Sequence, residues 1–154
     1  MKAYLSGAIE HAPDGGTGWR WEMTAWLKDR LGHDVFNPVH EQELTLQPEE
    51  AKRFRQWKST DYARFKKAVR KLIDADLRSI IEDVDYVICL WDDGVVKGGG
   101  THGEVTVAYH SGKPVYTVLG IPREAISSWI LGCSTREFND FQELKVFLEK
   151  QYGG

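Results

Sequence analysis

Hydrophobic and polar positions along this chain follow two rhythms in turn. Short apolar runs at Ala3-Tyr4-Leu5-Ser6, Asp34-Val35-Phe36, Asp85 to Trp91 and Val115 to Leu119 read as strands. The run ending at Trp91 is apolar without alternation, as in a strand covered on both faces. Between these runs the spacing turns helical. Met23, Trp26, Leu27 and Leu31 define a helix over Trp19–Leu31 that Gly32 stops. Glu49 to Trp57 and Asp61 to Asp83 read as two more helices, whereas residues 39–48 read as polar and irregular. A short helix follows the Gly98-Gly99-Gly100 loop and ends near Gly112. A further one is expected from Pro122 to Leu131, with Pro in its first turn. Asn139 or Asp140 is placed to cap a last helix carrying Phe141, Leu144, Phe147 and Leu148 on one face.

Strands that alternate with helices predict one α/β domain over residues 1–154, a three-layer α/β/α sandwich on a mostly parallel, five-stranded sheet. Right-handed crossovers then give the flavodoxin-like order 2-1-3-4-5. In that order the first and third strands are neighbours at a topological switch point. The loops after Ser6 and after Trp91 therefore face one crevice, which makes Gly7, Gly100 and Thr101 candidate substrate-binding positions.

Two carboxylates stand out from this pattern. Glu104 lies one turn into the helix behind the glycine loop, where free amides and small residues let a ligand approach. Thr101-x-x-Glu104 also matches a capping box, in which the glutamate serves only the helix start. Asp76 falls on the apolar stripe of the long helix, formed by Phe65, Val69, Leu72, Ile73, Leu77, Ile80 and Ile81. An unpaired carboxylate facing a core costs several kcal/mol, so a partner or a site is expected there.

Composition narrows the classes of function. The 42% hydrophobic and 28% charged residues are those of an ordinary globule, and the net charge of −3 argues against nucleic acid as a partner. Residues 51–72 hold nine Lys or Arg against the single acid Asp61, a run whose commoner cause is a solvated face and whose alternative is a face that binds a nucleotide phosphate or nucleic acid. No apolar run approaches the ~20 residues of a membrane span. Met1-Lys2-Ala3 leads straight into a strand, so no signal peptide, no membrane association and a cytoplasmic setting are expected. Cys89 and Cys133 have no metal or redox spacing, the five histidines have no metal-ligand spacing, and neither a metal nor another cofactor is expected. No Ser-His-Asp or GxSxG pattern is present.

With these residues in hand, the chain resembles the nucleoside 2-deoxyribosyltransferase family. The resemblance runs from Tyr4-Leu5-Ser6-Gly7-Ala8 through Asn37-Pro38, Asp76-Leu77-x-x-Ile80 and Asp85-Tyr-Val-Ile. It ends in Gly100-Thr101-x-x-Glu104-x-x-x-Ala108 and Gly112-Lys113-Pro114-Val115. It implies the α/β/α fold, Glu104 as the nucleophile that attacks C1′ of a 2-deoxyribosyl group, Tyr4 as the hydroxyl that orients it, and Asp76 in the same pocket. It also implies a nucleoside and a nucleobase as small-molecule partners, and a homo-oligomer. The family often carries an aspartate shortly before the glutamate to protonate the base. Gly98 stands there in this chain, which leaves Asp92, Asp93 and His102 as candidate acids. Trp19, Trp21 and Trp57 are candidates for stacking on a base, and Asp14 for binding sugar hydroxyls, against packing and turn formation as their plainer roles. The expected activity is transfer of the deoxyribosyl group between nucleobases through a covalent sugar–Glu104 intermediate. The alternatives are an N-glycosidase of deoxynucleoside 5′-monophosphates, with the basic segment binding phosphate, and a nucleotide-binding module without turnover.

Overall fold

The computed structural model describes all residues, Met1–Gly154. Five parallel strands form one sheet: β1 (Lys2–Ser6), β2 (Asp34–Phe36), β3 (Tyr86–Trp91), β4 (Val115–Leu119) and β5 (Arg136–Phe138), in the order β2-β1-β3-β4-β5. The expected sandwich and strand order are therefore observed, with every neighbouring pair parallel. β1 and β3 meet with Ser6 opposite Cys89, so their carboxyl ends open side by side.

Successive residues of β3 point to opposite faces and feed two separate cores. Tyr86 and Ile88 join Ala3, Leu5, Met23, Leu27, Leu144 and Leu148 beneath α1 (Gly18–Leu31) and α8 (Phe141–Tyr152). Val87, Cys89 and Trp91 join Tyr4, Ile80, Val105, Ala108 and Ile130 on the other face. That second face is covered by the end of α4 (Tyr62–Arg78), by α6 (Gly100–His110) and by α7 (Ser128–Cys133). A third, smaller core of Leu46, Phe54, Trp57 and Ala68 holds α3 (Pro48–Thr60) against α4.

Three local expectations are corrected, and one further turn of helix is added. Residues 38–45 are not irregular but form α2 (Pro38–Thr45). Pro38 sits at its first turn, and the Asn37 side chain accepts from the Val39 amide at 3.1 Å. Pro38 is the only fully buried residue of this helix, so no apolar stripe announces it. The long helix ends not as α-helix but in a widened π turn, Ser79–Asp83, whose closing bond runs from Val84 N to Ser79 O. The wider turn buries Ile80 completely and leaves Ile81 half exposed, and Ile73 also lies outside the core. Pro122–Leu131 is split into a 3₁₀ turn, Arg123–Ala125, and the separate α7, because extended Ile126 is drawn into the core and Ser127 caps the new start. Lastly, the segment after Trp91 holds one more helical turn, α5 (Asp93–Lys97), started by the Asp92 side chain accepting from Val95 N at 3.2 Å.

Candidate active site

Glu104 is not a helix cap. α6 begins at Gly100 with Gly99 as its N-cap, and Thr101 lies inside the helix, so the capping box does not form. The Glu104 carboxylate turns instead to the sheet. Tyr4 and Ser6 are two apart on β1 and therefore share a face. Tyr4 Oη donates to Glu104 Oε1 at 3.0 Å, and Ser6 Oγ donates to Oε2 in a short hydrogen bond. Tyr4 is fixed in turn by stacking on Phe36, with ring centroids 5.1 Å apart.

Burial raises the Glu104 carboxyl above the usual glutamate range, while the two hydroxyls and the charge of Arg20 pull it back down. The Tyr4 phenol is held well above its ordinary value, first by burial and then by the Glu104 charge, so it remains a donor. Asp76, half-buried on α4, is pushed up to about 8 by burial first and by the neighbouring Glu104 charge second. Asp76 thus keeps its proton near neutral pH, while the Tyr4 and Ser6 hydroxyls and the Arg20 charge favour the ionised form of Glu104, so their surroundings set the two carboxyls apart.

Both carboxyls line a crevice of two joined chambers, about 430 and about 200 Å³ in volume. Glu10, Arg55, Asp76, Gly99, Gly100 and Glu104 border both. The larger chamber is walled by apolar side chains of α3 and α4, including Phe54, Phe65, Val69, Leu72 and Leu77. The smaller one is lined by the backbone-rich segments Gly7–His11 and Gly94–Thr101. A wider hollow of about 560 Å³ between β5 and α8 contains neither carboxyl and none of the candidate residues.

The structure brings together Tyr4, Asp76 and Glu104, with Gly7, Gly100 and Thr101 along the small chamber. The remaining candidates are engaged elsewhere. Asp14 accepts from the amides of Gly16 and Gly18, both at 2.9 Å, which holds its carboxyl below the ordinary aspartate range. Trp19 stacks on Phe141 at 5.5 Å, Trp57 is buried in the third core, and Trp21 points to solvent. Asp92 caps α5, Asp93 is exposed in its first turn, and the His102 ring sets its edge against Trp91 at 4.8 Å. None of these three candidate acids lines either chamber.

Three site residues escape the sequence reading. Ser6 carries a signal in principle, being two residues from Tyr4 on a strand. Arg55 is hidden among the nine cations of residues 51–72, of which it alone borders both chambers. Arg20 gives no signal, since an arginine in a helix is normally solvated. No group of three His, Cys, Asp or Glu side chains is placed to hold a metal ion, and no helix is long and apolar enough to cross a membrane.

No family model and no curated protein sequence matches the chain. Solved structures do. A 2-deoxyribosyltransferase of Bacillus psychrosaccharolyticus superposes with a TM-score of 0.63 at 19% identity, over 94% of this chain and 90% of that one. A 2-deoxyribosyltransferase of Leishmania mexicana gives 0.61 at 15% identity, over 98% of each chain. A CMP N-glycosidase of Clostridium botulinum gives 0.57 at 20% identity, over 98% of this chain and 99% of that one. Across nearly its whole length, the chain has the fold of two 2-deoxyribosyltransferases and of a CMP N-glycosidase.

Proposed function

We propose that this chain is an enzyme of the nucleoside 2-deoxyribosyltransferase family that cleaves the N-glycosidic bond of 2′-deoxynucleosides and passes the sugar to a second nucleobase. The observation that carries this reading is the orientation of Glu104. Its carboxylate is held at the crevice floor by two hydroxyls of β1, in place of serving the helix start. Cleaving the bond from C1′ to the base builds positive charge on the sugar, which a carboxylate beneath C1′ stabilises and then captures. The C1′–N bond breaks, Glu104 forms an ester to C1′, and the departing base takes a proton. Asp76 supplies it, being protonated near neutral pH and bordering both chambers. An incoming base then attacks C1′, returns its proton to Asp76 and frees Glu104. Two displacements retain the configuration. The apolar chamber suits a flat base and the backbone-lined one the sugar. Closure of the crevice by a neighbouring subunit belongs to the same proposal.

Arg55 favours a second reading, in which the substrate carries a 5′-phosphate and water replaces the incoming base. It has no ion-pair partner, and its one side-chain hydrogen bond is to the neutral Gln42 at 3.3 Å. An unpaired cation between the two chambers would bind a phosphate.

The test is chromatographic. The protein is incubated with 2′-deoxyinosine or thymidine, with and without adenine, and then with the corresponding 5′-monophosphates. New deoxyadenosine supports transfer. Free base from the monophosphates alone, lost in Arg55→Met, supports the second reading. Glu104→Gln should lower either rate by about 10³-fold or more. Turnover that persists in Glu104→Gln would remove the nucleophile from this scheme.

A further inference from the structure

Arg20 is the only Lys, Arg, Asp or Glu side chain in the buried set, with no exposed surface at all. Its guanidinium spans the β1 end and the following loop. Nε donates to Leu5 O at 3.2 Å, Nη1 to Ala8 O at 3.2 Å and Gly16 O at 2.7 Å, and Nη2 to Gly7 O at 2.8 Å. The Trp19 ring covers it, with the ring centroid 4.7 Å from the guanidinium carbon. These acceptors are neutral, and no carboxylate lies within ion-pair distance of Arg20. Carbonyl dipoles satisfy its donors but leave a full positive charge in the interior, and such a charge is strongly unfavourable unless something balances it.

The balancing group lies on the other side of β1. Leu5 and Gly7, whose carbonyls Arg20 holds, flank Ser6, whose hydroxyl holds Glu104. Of the charges felt by Arg20, that of Glu104 is the largest, followed by Tyr4, Cys89 and Asp14. Around Glu104 stand Tyr4 and Ser6 on β1, Cys89 on β3, Asp76 on α4 and, across β1, Arg20 on α1; Glu10 and Arg55 border the same crevice, and Arg20 is the only buried cation in this set. One buried cation thus stands behind the strand segment whose hydroxyl holds the Glu104 carboxylate.

We propose that Arg20 is a positioning residue that keeps Glu104 ionised from behind the strand and holds the Gly7–Gly16 loop against the floor of the crevice. This rests on the reading of Glu104 as nucleophile. Lysine would keep the charge but cannot reach four carbonyls at once, so the two tasks are separable.

The experiment reads Glu104 without requiring turnover. The carboxyl carbons of glutamate are labelled with ¹³C, the Glu104 signal is assigned by its loss in Glu104→Gln, and it is titrated in the wild type and in Arg20→Met, Arg20→Gln and Arg20→Lys. In the Met and Gln variants the Glu104 titration should move to higher pH by about one unit. The acid limb of kcat against pH should move with it. Arg20→Lys should leave both close to wild type while raising KM about tenfold, through the loosened loop. If Arg20→Met does not fold, the Gln variant gives the same comparison. A Glu104 titration unchanged in both neutral variants overturns the proposal, as does a shift in Arg20→Lys equal to theirs. An enzyme that turns over no nucleoside but shows these shifts would refute the proposed function and leave the coupling standing.

Discussion

Two glycine-rich stretches border the crevice, and they use their glycines for opposite reasons. In residues 7–18 the protein itself fills the space at Gly7, Gly16 and Gly18. Gly16 has φ +72°, and a methyl group there would collide with the Arg20 guanidinium and the Ala8 carbonyl. Asp14 ties the same loop down through two amides. In residues 99–103 the space is left open. Apart from the adjoining backbone, no atom lies within 4 Å of where a side chain would start at Gly99, Gly100 or Gly103, and all three border the crevice. The first loop needs glycine so that its own backbone can close on an arginine. The second uses glycine to leave room for something else. A glycine count treats both alike, and only the surroundings separate a structural glycine from one that shapes a site.

Gly16→Ala breaks the closed side and carries the largest expected effect. Left-handed backbone and a collision with the buried guanidinium together should cost about 2–5 kcal/mol, read as a lower denaturation midpoint at unchanged m-value. A midpoint within experimental error of wild type would show that the loop does not depend on Arg20.

Across the crevice, Asp76→Asn probes the open side. The Asp76 carboxyl titrates at about 8 in the folded protein, against an ordinary aspartate value of 3.8. Between those values the unfolded chain has lost the proton that the folded chain keeps. Stability contributed by this group is therefore complete below the lower value and is lost as pH rises, at up to about 1.4 kcal/mol per pH unit. Asn cannot ionise, so the variant should gain stability over wild type progressively from pH 5 to pH 8. Turnover should fall by about 10²–10⁴-fold, and the alkaline limb of the wild-type rate profile near pH 8 should vanish. Thermal melts at several pH values check the first outcome and initial rates the second.

Gly103→Ala sharpens the comparison with the smallest effect. Gly103 lies within α6 with open space beside it, so alanine should stabilise the fold by about 0.5–1 kcal/mol. The added methyl would project into the larger chamber and should raise KM about tenfold with little change in Tm beyond that gain. A stabilised variant with unaltered KM would mean that no substrate group reaches Gly103.

Much of this arrangement is written in local sequence. The apolar runs, the Gly32 stop, the Asp140 cap and the crossover rule specify a parallel sheet in a particular order. That order alone brings the ends of β1 and β3 together. Asp76 is conspicuous because it interrupts an apolar stripe. Other features were silent because their causes are not local. α2 buries almost nothing and so has no periodic stripe, and β5 is a three-residue edge strand with too little length for any pattern. Whether Glu104 caps its own helix or faces the sheet depends on two β1 hydroxyls about a hundred residues away in the chain. The role of Arg20 depends on four carbonyls that converge only when the loop closes. Periodicity and turn chemistry act over a few residues, and these determined the fold. The protonation of two carboxyls and the charge that balances them arise from desolvation and through-space fields, which only the tertiary structure decided.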